Sequence, residues 1–150
     1  MKYTVIGTGF SGLSTAAYLA KEGHEVHVFE KNDTIGGRAR QFKDKGYTFD
    51  MGPSWYWMPD VFEKFFKDFD KSPKDYYDLI ELNPGFQIIF PEAHTLKLSS
   101  NWNDVLALFE SYEPGSSKKL LSFMEEAEFK YNFGINKLLY EPGVSLKEVC

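Results

Sequence analysis

The chain opens on a short apolar run, Tyr3-Thr4-Val5-Ile6, which stops at glycine. A run this brief and this apolar predicts a buried strand of a parallel sheet. After the stretch Gly7-Thr8-Gly9-Phe10-Ser11-Gly12, residues Leu13 to Ala20 predict a helix with a face of small side chains. Gly23 is placed to end that helix in a left-handed conformation. Glu25-Val26-His27-Val28-Phe29-Glu30 then alternates into a second strand that finishes on an acid. Strand, glycine turn, helix and strand in that order predict a βαβ unit.

Further along, the pattern changes. Gln41-Phe42 and Tyr47 to Asp50 flank Lys43-Asp44-Lys45-Gly46 and predict a hairpin. Met51 to Pro59 holds Gly52, Pro53, Pro59 and three successive aromatics, Trp55, Tyr56 and Trp57, which predicts an irregular loop. Each ring alone is best read as core packing, whereas the three together can line an apolar pocket beside a flat ligand. Pro59 suits a first helical turn, and Val61, Phe62, Phe65, Phe66 and Phe69 follow at helical spacing with charges opposite. Such a helix commonly packs on a core; a lipid-facing role is the alternative. Lys71 to Asp75 breaks it and predicts a domain crossing, giving segments 1–71 and 72–150.

In the second segment, Asp78–Leu82, Phe86–Phe90 and Thr95–Leu98 predict three strands. Asn101 or Asn103 can cap a helix through Phe109. Leu120, Met124, Ala127, Tyr131 and Leu138 predict a long helix to about Tyr140, ended by Pro142-Gly143. Ser145 can cap a further one.

The glycine stretch carries the chemistry. In a GxGxxG turn between strand and helix, Gly7 lets the chain turn off the strand. Gly9 leaves room for a pyrophosphate, and Gly12 lets helix and strand approach. The helix N-terminus offers free N–H groups and a partial positive charge to phosphate. Glu30, 23 residues after Gly7, can accept from both ribose hydroxyls of an adenosine and would repel a 2′-phosphate. The structural alternative, a plain glycine-rich turn, does not account for the acid in register.

Both arginines of the chain, against fifteen lysines, fall in Gly36-Gly37-Arg38-Ala39-Arg40. An arginine fork suits phosphate or a ring edge better than a lysine does. A surface turn with solvated cations is the bland reading; its place just after Glu30 favours a second cofactor contact.

Composition narrows the classes. A net charge of −5 argues against nucleic acid as the main partner. Cys150 is the single cysteine, so no internal disulfide forms and a reducing compartment fits. No apolar run reaches the roughly 20 residues of a membrane span, and no basic segment followed by an apolar one precedes residue 3. A cytoplasmic protein is expected, with peripheral membrane contact left open. His24, His27 and His94 make no metal spacing with cysteine, and no Ser–His–acid arrangement is evident.

These residues resemble a known group. Gly7 to Gly12, Ala16, Leu19, Ala20, Gly23, Val26, Val28, Glu30 and Gly36-Gly37-Arg38-Ala39 are similar to the opening of the flavin-containing amine oxidase and phytoene desaturase superfamily. Gly46 to Tyr56 and Met58 to Phe62 resemble the bacterial-type phytoene desaturases in particular. The resemblance covers about the first seventy residues. It implies a Rossmann-like FAD-binding βαβ unit, followed by the start of a mixed α+β substrate domain. It implies hydride transfer to flavin from an allylic carbon of a lipophilic polyene such as phytoene. Positions matching Gly7, Gly9, Gly12, Glu30, Gly37 and Arg38 would hold the ADP half and linker of FAD; Gly52, Pro53 and Ser54 would lie toward the flavin. Phe10 and Ser11, between the glycines, and Lys31, after Glu30, complete the expected cofactor set. No catalytic residue is assigned and no metal is expected. Family members run several hundred residues longer, so the chain reads as an N-terminal fragment not expected to catalyse alone. A polyene isomerase, an amine oxidase and a non-catalytic dinucleotide-binding module are the alternatives.

Overall fold

The computed structural model describes residues 1–53, 55–91 and 94–141. They fall into two compact units, the first Met1–Asp78 and the second beginning at Leu79.

The first unit starts with β1 (Lys2–Ile6), α1 (Phe10–Lys21) and β2 (Glu25–Phe29). β1 and β2 pair in parallel, Lys2 against Glu25 through Ile6 against Phe29. Gly7 N–H extends the ladder to the Phe29 carbonyl at 2.7 Å. Gly12 sits where α1 meets the strand: a Cβ there would overlap the Gly7 carbonyl oxygen and come within 3.6 Å of Val5. Gly23 has φ +79° and its N–H reaches the Ala20 carbonyl at 3.0 Å, as a helix-ending glycine should.

The predicted hairpin forms as β3 (Gln41–Asp44) and β4 (Tyr47–Asp50), paired antiparallel. Its turn is tighter than the four-residue one expected from sequence. Lys45 (φ 49°) and Gly46 (φ 85°) make it alone, because two left-handed residues match the twist of the flanking strands. Phe42 and Phe49 stack across the pair at 4.8 Å.

α2 (Pro59–Asp68) begins on proline as expected. Its aromatic side is taken up by protein. Phe65 and Phe69 meet Tyr18 of α1 at 5.8 and 5.1 Å, Phe62 meets Phe10 at 5.6 Å, and Phe66 meets Tyr76 at 4.9 Å. The Tyr18 hydroxyl donates to Asp68 at 2.7 Å, and Lys21 Nζ donates to the Asp68 carbonyl. The expected break at 71–75 carries a 3₁₀ turn, Pro73–Asp75, closed by a reciprocal Ser72–Asp75 capping box.

In the second unit, β5 (Phe86–Ile89) and β6 (Thr95–Leu98) pair antiparallel. The third expected strand, Asp78–Leu82, does not form. Its residues lie in no ladder, and Leu79, Ile80 and Leu82 are exposed. Alternation without a neighbouring backbone does not make a strand. α3 (Trp102–Tyr112) is capped by Asn101, whose Oδ1 accepts from the N–H groups of Asn103 and Asp104. Val105 of α3 is buried.

α4 spans Ser116–Asn136, followed by a 3₁₀ turn Leu138–Tyr140. Glu110 caps its start, accepting from Gly115 N–H at 2.7 Å and from Ser117 N–H at 3.1 Å. The Ser117 hydroxyl bond comes first among the causes that hold the Glu110 carboxyl below the ordinary range. The expected features at Pro142-Gly143 and Ser145, and Cys150, lie outside the described residues.

Candidate functional site

The βαβ unit presents its turn as the spacing requires. Gly7 takes φ +96°, a conformation that disfavours any side chain. Gly9 caps α1, and no atom lies within 4 Å of where its Cβ would stand. No side chain caps α1 and no acid occupies its first turn, so the N–H groups of Phe10, Ser11 and Gly12 face no intramolecular side-chain acceptor there. A pyrophosphate fits this arrangement, because the open glycine face and the helix end combine close approach with donors.

Two further segments come to the same place. Gly36 N–H donates to the Thr8 carbonyl at 3.0 Å. Gly37, at φ +59°, lies against the turn: a Cβ there would stand 2.9 Å from Gly9 Cα. Residues Gly37–Ala39 form a 3₁₀ turn, with Arg38 exposed. Gly52 packs on that turn in its own right, since a Cβ would overlap the Arg38 carbonyl oxygen. So Gly9, Gly37, Arg38 and Gly52 form one continuous backbone surface, although 43 residues of sequence separate its ends.

Glu30 is held by a network that sequence reasoning missed. Its Oε2 accepts from Thr8 N–H at 2.9 Å and from Thr8 Oγ1 at 2.6 Å. Its Oε1 accepts from Asn32 N–H at 3.0 Å and from Asn32 Nδ2 at 2.6 Å. Thr8 is the buried polar residue among those described, at 5% exposure. The Thr8 hydroxyl bond first, then the Asn32 and Thr8 main-chain donors, lower the Glu30 carboxyl to about 2. The available signal was a hydroxyl residue inside the glycine turn and an amide two positions after the acid.

A carboxyl lowered in the fold contributes stability above its ordinary value of 4.5 and loses it as pH falls through about 2. Nucleotide affinity that depends on ionised Glu30 is therefore expected to stay flat from about pH 8 to about pH 4. A pH series of nucleotide titrations checks this, and a midpoint near pH 4.5 would contradict the network.

The remaining expected residues are placed differently. Lys31 lines a concavity of about 730 Å³ with Asn32, Arg40, Lys43 and Met51, and neither Gly9 nor Glu30 lines it. Arg40 Nε donates to Met51 Sδ at 3.4 Å within it. Pro53 is exposed, and Ser54 lies outside the described residues. Of the three loop aromatics, Tyr56 packs on Phe62 at 4.9 Å and shares a hydrogen bond with the Tyr77 hydroxyl at 2.5 Å. Partial burial and then that bond raise the Tyr56 phenol above its ordinary value. Trp55 and Trp57 touch each other and are about 60% exposed. Among the described residues, no group of three or more His, Cys, Asp or Glu is arranged to hold a metal. No described helix is long and apolar enough to cross a membrane.

Residues 5–71 match the NAD(P)-binding Rossmann-like domain family. Over 145 residues the chain is 42% identical to a carotenoid 3,4-desaturase of Haloarcula japonica, covering 97% of this chain and 29% of that protein. Over most of its own length the chain is similar to carotenoid desaturases. A 4,4′-diapophytoene desaturase (4,4′-diaponeurosporene-forming) of Staphylococcus aureus is 40% identical to it over 131 residues, 87% of this chain and 26% of that protein. The crystal structure of an oxidoreductase from Methanosarcina mazei superposes with a TM-score of 0.53 at 26% identity, covering 84% of this chain and 30% of that one. The chain thus spans less than a third of the length of the curated relatives it matches. Its α/β architecture and its dinucleotide-binding class agree with the reading from sequence.

Proposed function

We propose that the protein is an FAD-dependent oxidoreductase that introduces double bonds into a carotenoid precursor such as phytoene. One observation carries the reading: the open glycine face, the exposed Arg38 and the ionised Glu30 converge around one turn, in a chain 42% identical to a named carotenoid desaturase. The domain family is described by NAD(P), but the turn-and-acid arrangement reads the ADP half that NAD and FAD share. Glu30 disfavours a 2′-phosphate, which argues against NADP.

In this reading the Phe10, Ser11 and Gly12 N–H groups and Arg38 bind the pyrophosphate, and Glu30 bonds the ribose. Gly37 keeps the second turn low over Gly9. Gly52 and Pro53 lead toward the isoalloxazine end. FAD, when bound, supplies the acceptor for a hydride leaving an allylic carbon, while a proton leaves the neighbouring carbon. The protein's part is to orient the polyene and exclude water. The substrate is a lipophilic polyene drawn from a membrane that the protein touches peripherally from the cytoplasm.

The test is product analysis. Protein made from its whole native reading frame is expected to show flavin absorbance and to convert phytoene to more unsaturated products. Recovery of a geometric isomer with no gain in unsaturation would favour a polyene isomerase. Amine oxidation without action on phytoene would favour that branch. Absence of any flavin would leave a dinucleotide-binding module.

A further inference from the structure

An ionised carboxylate has about four acceptor positions, and Glu30 uses four. A sugar hydroxyl can donate to either oxygen only by replacing a donor already there. Two of the donors are main-chain N–H groups, of Thr8 and Asn32, fixed by the glycine turn and the end of β2. The third, Thr8 Oγ1, belongs to a residue 5% exposed. The fourth is the side-chain amide of Asn32, an exposed residue, which bonds Oε1 at 2.6 Å.

We infer that the Asn32 side chain is an internal competitor for the nucleotide ribose, occupying the Oε1 position that a sugar hydroxyl takes and giving it up when the nucleotide binds. This rests on Glu30 reading the sugar, as proposed above. Binding then exchanges one charge-assisted bond for another on the same oxygen, so the ribose gains less than it would from a free carboxylate. The other three donors keep Glu30 oriented throughout. Of the four, the Asn32 amide does least to hold the carboxyl acidic, so Glu30 stays ionised without it. Asn32 thereby weakens nucleotide affinity while leaving the carboxylate's aim to Thr8.

The test uses cofactor-free protein from the whole native reading frame, titrated by calorimetry with ADP and with 2′,3′-dideoxy-ADP. Wild type should prefer ADP, and Glu30→Gln should lose that preference. Asn32→Ala, which keeps its main-chain donor and alters an exposed side chain, should bind ADP roughly three- to tenfold more tightly than wild type. It should bind the dideoxy analogue with wild-type affinity, a split that a merely structural role would not produce. ADP binding no tighter in Asn32→Ala, with the Glu30→Gln effect intact, would overturn the competitor role alone. Equal wild-type affinity for the two ligands would instead remove the reading of Glu30 beneath it.

Discussion

Gly12→Ala is expected to abolish dinucleotide binding and to lower the unfolding temperature of the first unit by on the order of 10 °C. The added methyl would overlap the Gly7 carbonyl oxygen, and Val5 stands 3.6 Å behind it. The obstacle is main chain, the Gly7 carbonyl group, so α1 itself must move off β1. Overpacking of this kind costs about 1–3 kcal/mol, and a backbone obstacle belongs at the upper end or beyond. The displaced helix would also carry its N-terminal donors away from the Gly9 face. Thermal unfolding followed by circular dichroism, with flavin content per protein, measures both effects. Gly134→Ala provides the contrast: nothing lies within 4 Å of its added methyl, it sits inside α4, and it should be neutral or slightly stabilising. A Gly12→Ala protein with unchanged unfolding would mean that helix and strand are not so closely apposed.

Glu30→Lys is the second large effect. The substitution removes an acceptor of four hydrogen bonds and sets an ammonium against the Thr8 and Asn32 donors. Retained flavin is expected to fall by at least about tenfold, since the sugar loses a charged acceptor and meets a charged donor instead. Glu30→Gln should fall between, because its amide keeps one acceptor oxygen but brings donors to face donors. Flavin absorbance relative to protein absorbance after gel filtration gives the comparison. Wild-type flavin content in Glu30→Lys would detach the acid from the cofactor.

How much of this was legible depends on distance along the chain. The βαβ unit could be read because strand, glycines, helix and acid stand in a short fixed spacing, each position with its own steric or electrostatic task. The start of α2 at Pro59 and the Asn101 cap could be read for the same local reason. Asp78–Leu82 misled because its alternation matches a strand, while a strand also needs a partner backbone that sequence does not locate. The loop aromatics were ambiguous in kind: Tyr56 found the α2 rings, and Trp55 and Trp57 found each other. Thr8 and Asn32 were passed over because their significance lies in reaching the Glu30 carboxylate, Thr8 from 22 residues away. The packing of Gly37 on Gly9 and Gly52 on Arg38 likewise appears only once the chain is folded.

The small turn at Lys45-Gly46 has a reach greater than its size. From it the hairpin closes pair by pair to Gln41 against Asp50, and Met51 N–H then bonds the Arg40 carbonyl at 2.9 Å. The next step along this zipper sets Gly52 upon Arg38. Losing one residue at the tip would offset every pair by a notch and bring a side chain where the glycine must lie. Length variation at this solvent-facing bend should therefore be tolerated far less than at an ordinary surface loop, because the bend acts as a ruler for a surface built at the opposite end of the hairpin.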